Sequence, residues 1–222
     1  MAHEKEELQF KHIGYNLFKV MRKILFISIL LTLCIGTFAQ SGSQAMKVLD
    51  KATSIVGRKG GAEANFTVSG KKTSTQSGTI AIKGNMFMAR TNKAMVWFNG
   101  KTQWSYLKMT NEVNISTPNE AKRMSMNPYT FMSMYKKGYN LSMTTSGGNY
   151  IVHMTAQNRQ RSVQEAYITI SKGSYKPSVV KMRQGNDWTT ISITNFKAKN
   201  QPTSKFSFNQ KDFPKADVID LR

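Results

Sequence analysis

Residues 45–56 carry apolar side chains at Ala45, Val48, Leu49, Ala52, Ile55 and Val56, with Lys47, Asp50 and Lys51 on the opposite face. This spacing predicts one amphipathic helix. Gly57, Gly60 and Gly61 mark its end. The period then changes to two. Ala64, Phe66 and Val68 alternate with Glu63, Asn65, Thr67 and Ser69, and Ile80 and Ile82 alternate with Thr79 and Lys83. Asn85 to Thr91, Met95 to Phe98 and Lys101 to Leu107 follow as short runs. Asn99-Gly100 stands between the last two, a hairpin signal because both residue types tolerate positive φ. Val113 and Ile115 continue the alternation. At Met86 to Met88 and Met95 to Phe98 both parities are apolar, so the pattern does not say which side chains face inward.

Residues 117–137 interrupt this period. Pro118-Asn119-Glu120 opens a helical piece through Met126, Asn127-Pro128 restarts it, and Lys136-Lys137-Gly138 ends it. Two-residue alternation resumes at Leu141 and Met143. It continues through Tyr150 to Ala156, Gln164 to Ile170, Ser178 to Met182 and Trp188 to Phe196. The total is about ten or eleven strands, one leading helix and one helical insertion. Short strands joined by tight turns predict a mainly β protein with some α, its antiparallel sheet curling on itself.

The N-terminal stretch is a different kind of signal. Met21-Arg22-Lys23 precedes about fifteen mostly apolar residues, Ile24 to Phe38, that end on Thr37-Phe38-Ala39. Two cations, a short apolar run and small residues at the cleavage positions predict a secretory signal peptide over residues 21–39. A membrane span needs about 20 apolar residues, which this run does not reach. Residues 1–20 are expected to be an N-terminal extension or an upstream start. Cys34 is the only cysteine, and the bulky Leu33 before it disfavours lipidation there. The expected mature domain, residues 40–222, has no cysteine, so export leaves its stability to packing.

Of the 32 Lys and Arg residues 27 follow Ala39, with 9 of the 12 Asp and Glu, for a mature net charge of +18. That balance favours anionic surfaces or partners. It does not by itself make a nucleic-acid binder, since export and the lack of a stacking motif oppose that reading. Catalytic groups are scarce. One histidine, His153, remains after Ala39 and lies in a strand without a serine elbow nearby. Thiolate and multi-histidine chemistry are excluded by residue type, and the nine carboxylates show no marked pair. No enzyme activity and no cofactor or metal are expected. The twelve methionines after Ala39 are an apolar excess, and Met124, Met126, Met132 and Met134 cluster in the insertion with Tyr129, Phe131 and Tyr135. Flexible, polarizable methionine suits a surface that packs against varied shapes. A short, broken helical piece so rich in large apolar groups is the pattern of a lid over an apolar cavity, with ordinary core packing as the alternative reading.

Trp97-Phe98-Asn99-Gly100-Lys101-Thr102-Gln103-Trp104-Ser105-Tyr106 resembles the central hairpin of the LolA-like outer-membrane lipoprotein carrier family. Gly78 to Phe87 resembles the strand pair before it, Asn127-Pro128-Tyr129-Thr130-Phe131 the helical insertion, and Phe206 to Asp220 the closing strand region. The likeness runs over residues 41–222 and is nearest to Bacteroidetes-type members. It implies an incomplete antiparallel β-barrel of about 10–11 strands with a leading helix and a helical lid over the concave apolar face. It implies a monomeric, chaperone-like periplasmic carrier of lipidated proteins, which takes cargo from an inner-membrane lipoprotein-releasing transporter and delivers it to an outer-membrane acceptor. Phe66, Val68, Ile80, Ile82, Trp97, Trp104 and Tyr106 would build the concave wall, and Met124, Met126, Phe131, Met132 and Tyr135 the lid. A related β-shell that binds free lipid or another apolar molecule, or a structural envelope protein, is the competing expectation. One position departs from the family. Proteobacterial members carry a functional arginine beside the lysine that matches Lys83, and here that position is Gly84.

Overall fold

The computed structural model of the protein describes residues 41–71, 73–119 and 134–222. The lid positions Met124, Met126, Phe131 and Met132 lie outside the described residues. Among the described residues one helix, α1 over residues 41–56, precedes twelve strands. These are β1 (Ala62–Gly70), β2 (Thr73–Lys83), β3 (Met86–Thr91), β4 (Ala94–Phe98), β5 (Gln103–Leu107) and β6 (Glu112–Ser116). They continue as β7 (Tyr139–Ser146), β8 (Asn149–Ala156), β9 (Glu165–Ser171), β10 (Pro177–Gln184), β11 (Asp187–Ala198) and β12 (Asp217–Asp220). All twelve form one sheet in the order β12-β6-β5-β4-β3-β2-β1-β11-β10-β9-β8-β7. The sheet is open and curved and does not close into a barrel.

The expected strands are present, and β12 is an addition to the ten or eleven. It is also the exception to antiparallel pairing, since it runs parallel to β6 with Val218 opposite Val113. A parallel neighbour requires a crossover, and residues 199–216 supply it. Within that segment are two short 3₁₀ turns, Thr203–Phe206 and Gln210–Asp212. The region expected to be closing strand is therefore mostly irregular.

The period-2 alternation sorts each strand onto two faces. On the inner face Ala62, Ala64, Ile80, Ile82, Phe87 and Phe98 meet the apolar stripe of α1, which comprises Ala45, Val48, Leu49, Ala52 and Val56. The same cluster continues through Ile191, Ile193, Val180, Ile168 and Val152 to Met154. One buried cluster thus extends from β4 to β8, and the sheet curls around the helix. Each large side chain buried there contributes roughly 1.5–3 kcal/mol. Gly57 and Gly61 end the helix. The Gly57 amide donates to Thr53 O at 2.7 Å, and Gly61 turns the chain into β1 with φ +95°.

Two hairpin turns follow the sequence closely. The Asn99 side-chain oxygen accepts from the amides of Lys101 and Thr102 at 3.0 and 2.9 Å, and Gly100 sits at φ +102°. Between β2 and β3, Lys83 pairs with Met86, leaving Gly84 and Asn85 as a two-residue turn with Gly84 at φ +58°. That conformation explains why glycine stands there.

Candidate functional site

The site is built on the inner face of the sheet. Strand register places Phe66 opposite Ile193 and Gly78, and Val68 opposite Ile191. Phe66 and Val68 are half-buried and pack against the core, as do Val96, Leu141 and Met143. A β-carbon added at Gly78 would come within 2.9 Å of the Phe66 ring and would also meet the Arg90 carbonyl oxygen. The ring therefore lies across a glycine that leaves room for it. Ile80 and Ile82 share this face but are 2 % and 3 % exposed, which makes them part of the packed core beneath α1.

Trp97, Trp104 and Tyr106 are not on this wall. Met88, Trp97, Trp104 and Ile115 stand in one cross-strand row, as do Met95, Tyr106 and Val113, and both rows belong to the outer face. Inner-face neighbours in the same strands are Phe87, Ala89, Val96 and Phe98. The reason is the crossover segment. Phe208 and Phe213 cover Trp97 with ring centroids 5.7 and 5.6 Å away, and Phe213 lies 4.7 Å from Tyr106. Strands buried on both faces lose their polar alternation, so an apolar aromatic there does not identify the cavity side. The expected seven-residue wall is divided, with Phe66, Val68, Ile80 and Ile82 inside and Trp97, Trp104 and Tyr106 outside.

Tyr135 is the lid position that the structure describes. It is 1 % exposed, and its hydroxyl donates to Asp50 Oδ1 of α1 at 2.5 Å. Lys136 Nζ approaches the same carboxylate at 3.7 Å. Burial, reinforced by the hydrogen bond to Asp50, pushes the Tyr135 phenol up to about 12. Its neighbour Met134 is buried in the inner cluster. The chain entering β7 is thus pinned to the helix that lies on the inner face. At the other side of that face, Lys51 of α1 donates to the Tyr175 hydroxyl at 3.3 Å, and Tyr175 stacks on Tyr150. Sequence reasoning missed these helix contacts, since they join residues 85 and 124 positions apart.

Gln103 is a polar residue inside this apolar region. It is 1 % exposed, donates its side-chain amide to Ser105 Oγ at 3.0 Å, and has no partner for its side-chain oxygen among the described residues. His153 is on the outer face. It stacks on Tyr167 with centroids 4.3 Å apart and shares a 3.0 Å hydrogen bond with Glu165, which Arg183 also holds. Its surroundings are those of a packed surface histidine. Among the described residues no group of three or more His, Cys, Asp or Glu side chains could hold a metal ion.

The family model for the outer membrane lipoprotein carrier protein LolA matches residues 35–186 of the chain. No curated protein matches it. An uncharacterized conserved protein from Thermus thermophilus is a structural relative at 14 % identity and TM-score 0.55, covering 80 % of this chain and 99 % of its own. At that identity the likeness speaks for the fold alone. A LolA superfamily protein from Nitrosomonas europaea aligns at 9 % identity and TM-score 0.42, over 74 % of this chain and 97 % of its own. The Mycobacterium tuberculosis lipoprotein LppX aligns at 11 % identity and TM-score 0.42, over 73 % and 98 % respectively.

Proposed function

Because the chain belongs to the LolA outer membrane lipoprotein carrier family, we propose that it is a periplasmic carrier that holds the acyl chains of lipidated proteins against the inner face of its sheet. The observation that carries this reading is the half-buried apolar set on the inner face, Phe66, Val68, Val96, Leu141 and Met143, packed against the buried core. Acyl chains need such a surface, since each methylene removed from water contributes about 0.8 kcal/mol. The residues that hold cargo in this proposal are Phe66 and Val68, with Ile80 and Ile82 as the packed floor behind them. The segment bearing Met124, Met126, Phe131 and Met132 acts as the cover, with Tyr135 as its anchored end. Gly84, being a turn residue, gives that cover no cationic latch. An inner-membrane lipoprotein-releasing transporter supplies the cargo and an outer-membrane acceptor receives it. Residues 21–39 direct export and are removed.

The test is to purify the exported protein from the periplasm and identify what it carries by mass spectrometry. Co-purified diacylated or triacylated proteins support the carrier role. A preparation that holds free phospholipid or glycolipid alone overturns it in favour of a β-shell for free lipid. N-terminal sequencing of the same preparation should begin at Gln40.

A further inference from the structure

The outer face holds a concavity of about 620 Å³ on strands β1, β2, β3 and β11, with Lys205 of the crossover segment beside it. We infer that this outer cleft is a binding site for a phosphate-bearing polar group of headgroup size, gripped by Arg90, Lys197 and Lys205. The inference is independent of acyl-chain binding on the inner face.

The cleft has a local cause. Glu63 pairs with Lys197 and Asn65 with Thr194, so Ala64 stands opposite two residues of β11, Asn195 and Phe196. This is a β-bulge, and it puts Asn195 at φ +52°. A bulge twists the strand and re-aims side chains, and it recurs beside functional sites. Here it turns Asn195 into the cleft, where Asn65 and Thr79 add further neutral hydrogen-bonding groups.

The charge balance favours an anion. Glu63 is the one carboxylate in the lining, and it is already engaged. Lys199 Nζ lies 3.1 Å from it and holds its carboxyl below the usual carboxylate range. Arg90 and Lys197 are exposed and form no ion pair among the described residues. Lys205 Nζ is positioned by the Gln201 side-chain oxygen at 2.9 Å, and Gln201 is 3 % exposed. The Gln201 backbone oxygen in turn accepts from Lys83 at 2.8 Å. A buried amide thus orients one cation over the cleft while two others stand unneutralised at its rim. Guanidinium and ammonium groups with neutral donors between them are the recognition set for phosphate oxygens. The volume falls within the roughly 300–1,000 Å³ of small-molecule sites, more than a bare ion fills.

Glycerol phosphate is the soluble probe, titrated calorimetrically into the mature chain. Vesicles of phosphatidylglycerol in phosphatidylcholine are the membrane probe, read by flotation. The double variant Arg90→Gln with Lys197→Gln should weaken glycerol phosphate binding about tenfold or more, the scale of lost charged hydrogen bonds. The control Lys93→Gln with Lys101→Gln removes the same charge from the β3–β4 and β4–β5 turns and should leave affinity nearly unchanged. Competition between vesicles and glycerol phosphate would support the site with a lipid headgroup as its source. Glycerol phosphate binding that vesicles do not displace would support it with a soluble source. Equal losses in the two double variants, or no binding of glycerol phosphate by the unaltered chain, would overturn it. All these positions are exposed, so both variants should keep the unaltered melting temperature.

Discussion

Tyr135 joins local chemistry to the pH range in which the protein holds together. The folded chain keeps its phenol proton up to about 12, because burial and the hydrogen bond to Asp50 both disfavour the tyrosinate. In the unfolded chain the proton leaves near the ordinary value of 10.0. The stability from this raised value is therefore complete below 10 and is lost as pH climbs towards 12, since the unfolded state sheds the proton first. Tyr135→Phe should cost about 1 kcal/mol at neutral pH through the lost hydrogen bond, and should flatten part of the alkaline decline. Urea denaturation at about pH 8 and about pH 11 measures both effects. An alkaline decline that is the same size in Tyr135→Phe and in the unaltered chain would show that another group is responsible. The sequence placed Tyr135 in an apolar insertion, which fits its burial. It could not name Asp50 as its partner, because a contact between a helix and a distant turn leaves no local spacing.

At the scale of elements, legibility followed how many faces a strand buries. β1 has one clear apolar parity, and the alternation put Phe66 and Val68 together on the face that packs against the inner core. β4 and β5 carry apolar side chains on both faces, so Trp97, Trp104 and Tyr106 looked like cavity residues; register puts all three on the outer face, where Trp97 and Tyr106 meet the crossover segment. β12 has four exposed residues and no periodic signal, and it exists because residues 199–216 return the chain to the β6 edge. Phe213 is the clasp of that crossover, with Trp97, Tyr106 and Phe208 all within 5.6 Å between ring centroids. Phe213→Ala removes three aromatic contacts worth about 0.5–1.5 kcal/mol each, and should destabilise the protein by about 2–3 kcal/mol. The loss should be local. Hydrogen exchange should quicken at Val218 to Asp220 while Val152 and Ile168 keep their protection. Uniform quickening at all of these positions would mean that the crossover and the inner core unfold as one unit.

The whole molecule has two apolar regions on opposite sides of one sheet. On the outer side the crossover segment packs Phe208 and Phe213 on Trp97, and Phe213 on Tyr106, while Trp104 and Tyr106 stay half-buried. On the inner side α1 closes Ile80 and Ile82 and leaves Phe66 and Val68 half-buried. Because the two sets face opposite ways, binding and stability can be tested apart. Phe66→Ala removes apolar area where the proposed cargo lies, and should weaken binding of a fluorescent fatty-acyl probe by about tenfold, from roughly 1.5 kcal/mol of lost burial. Trp104→Ala removes a comparable side chain from the outer face, and should lower the melting temperature without changing probe affinity. Probe titration and thermal denaturation of the two variants, run side by side, decide the matter. If Trp104→Ala weakens the probe as much as Phe66→Ala does, the acyl chains are not held by the inner face. The physical ground for expecting a difference is that the sheet curls towards α1, so an acyl chain on that side would meet side chains from several strands at once, whereas on the opposite side Trp97 and Tyr106 already have Phe208 and Phe213 as partners.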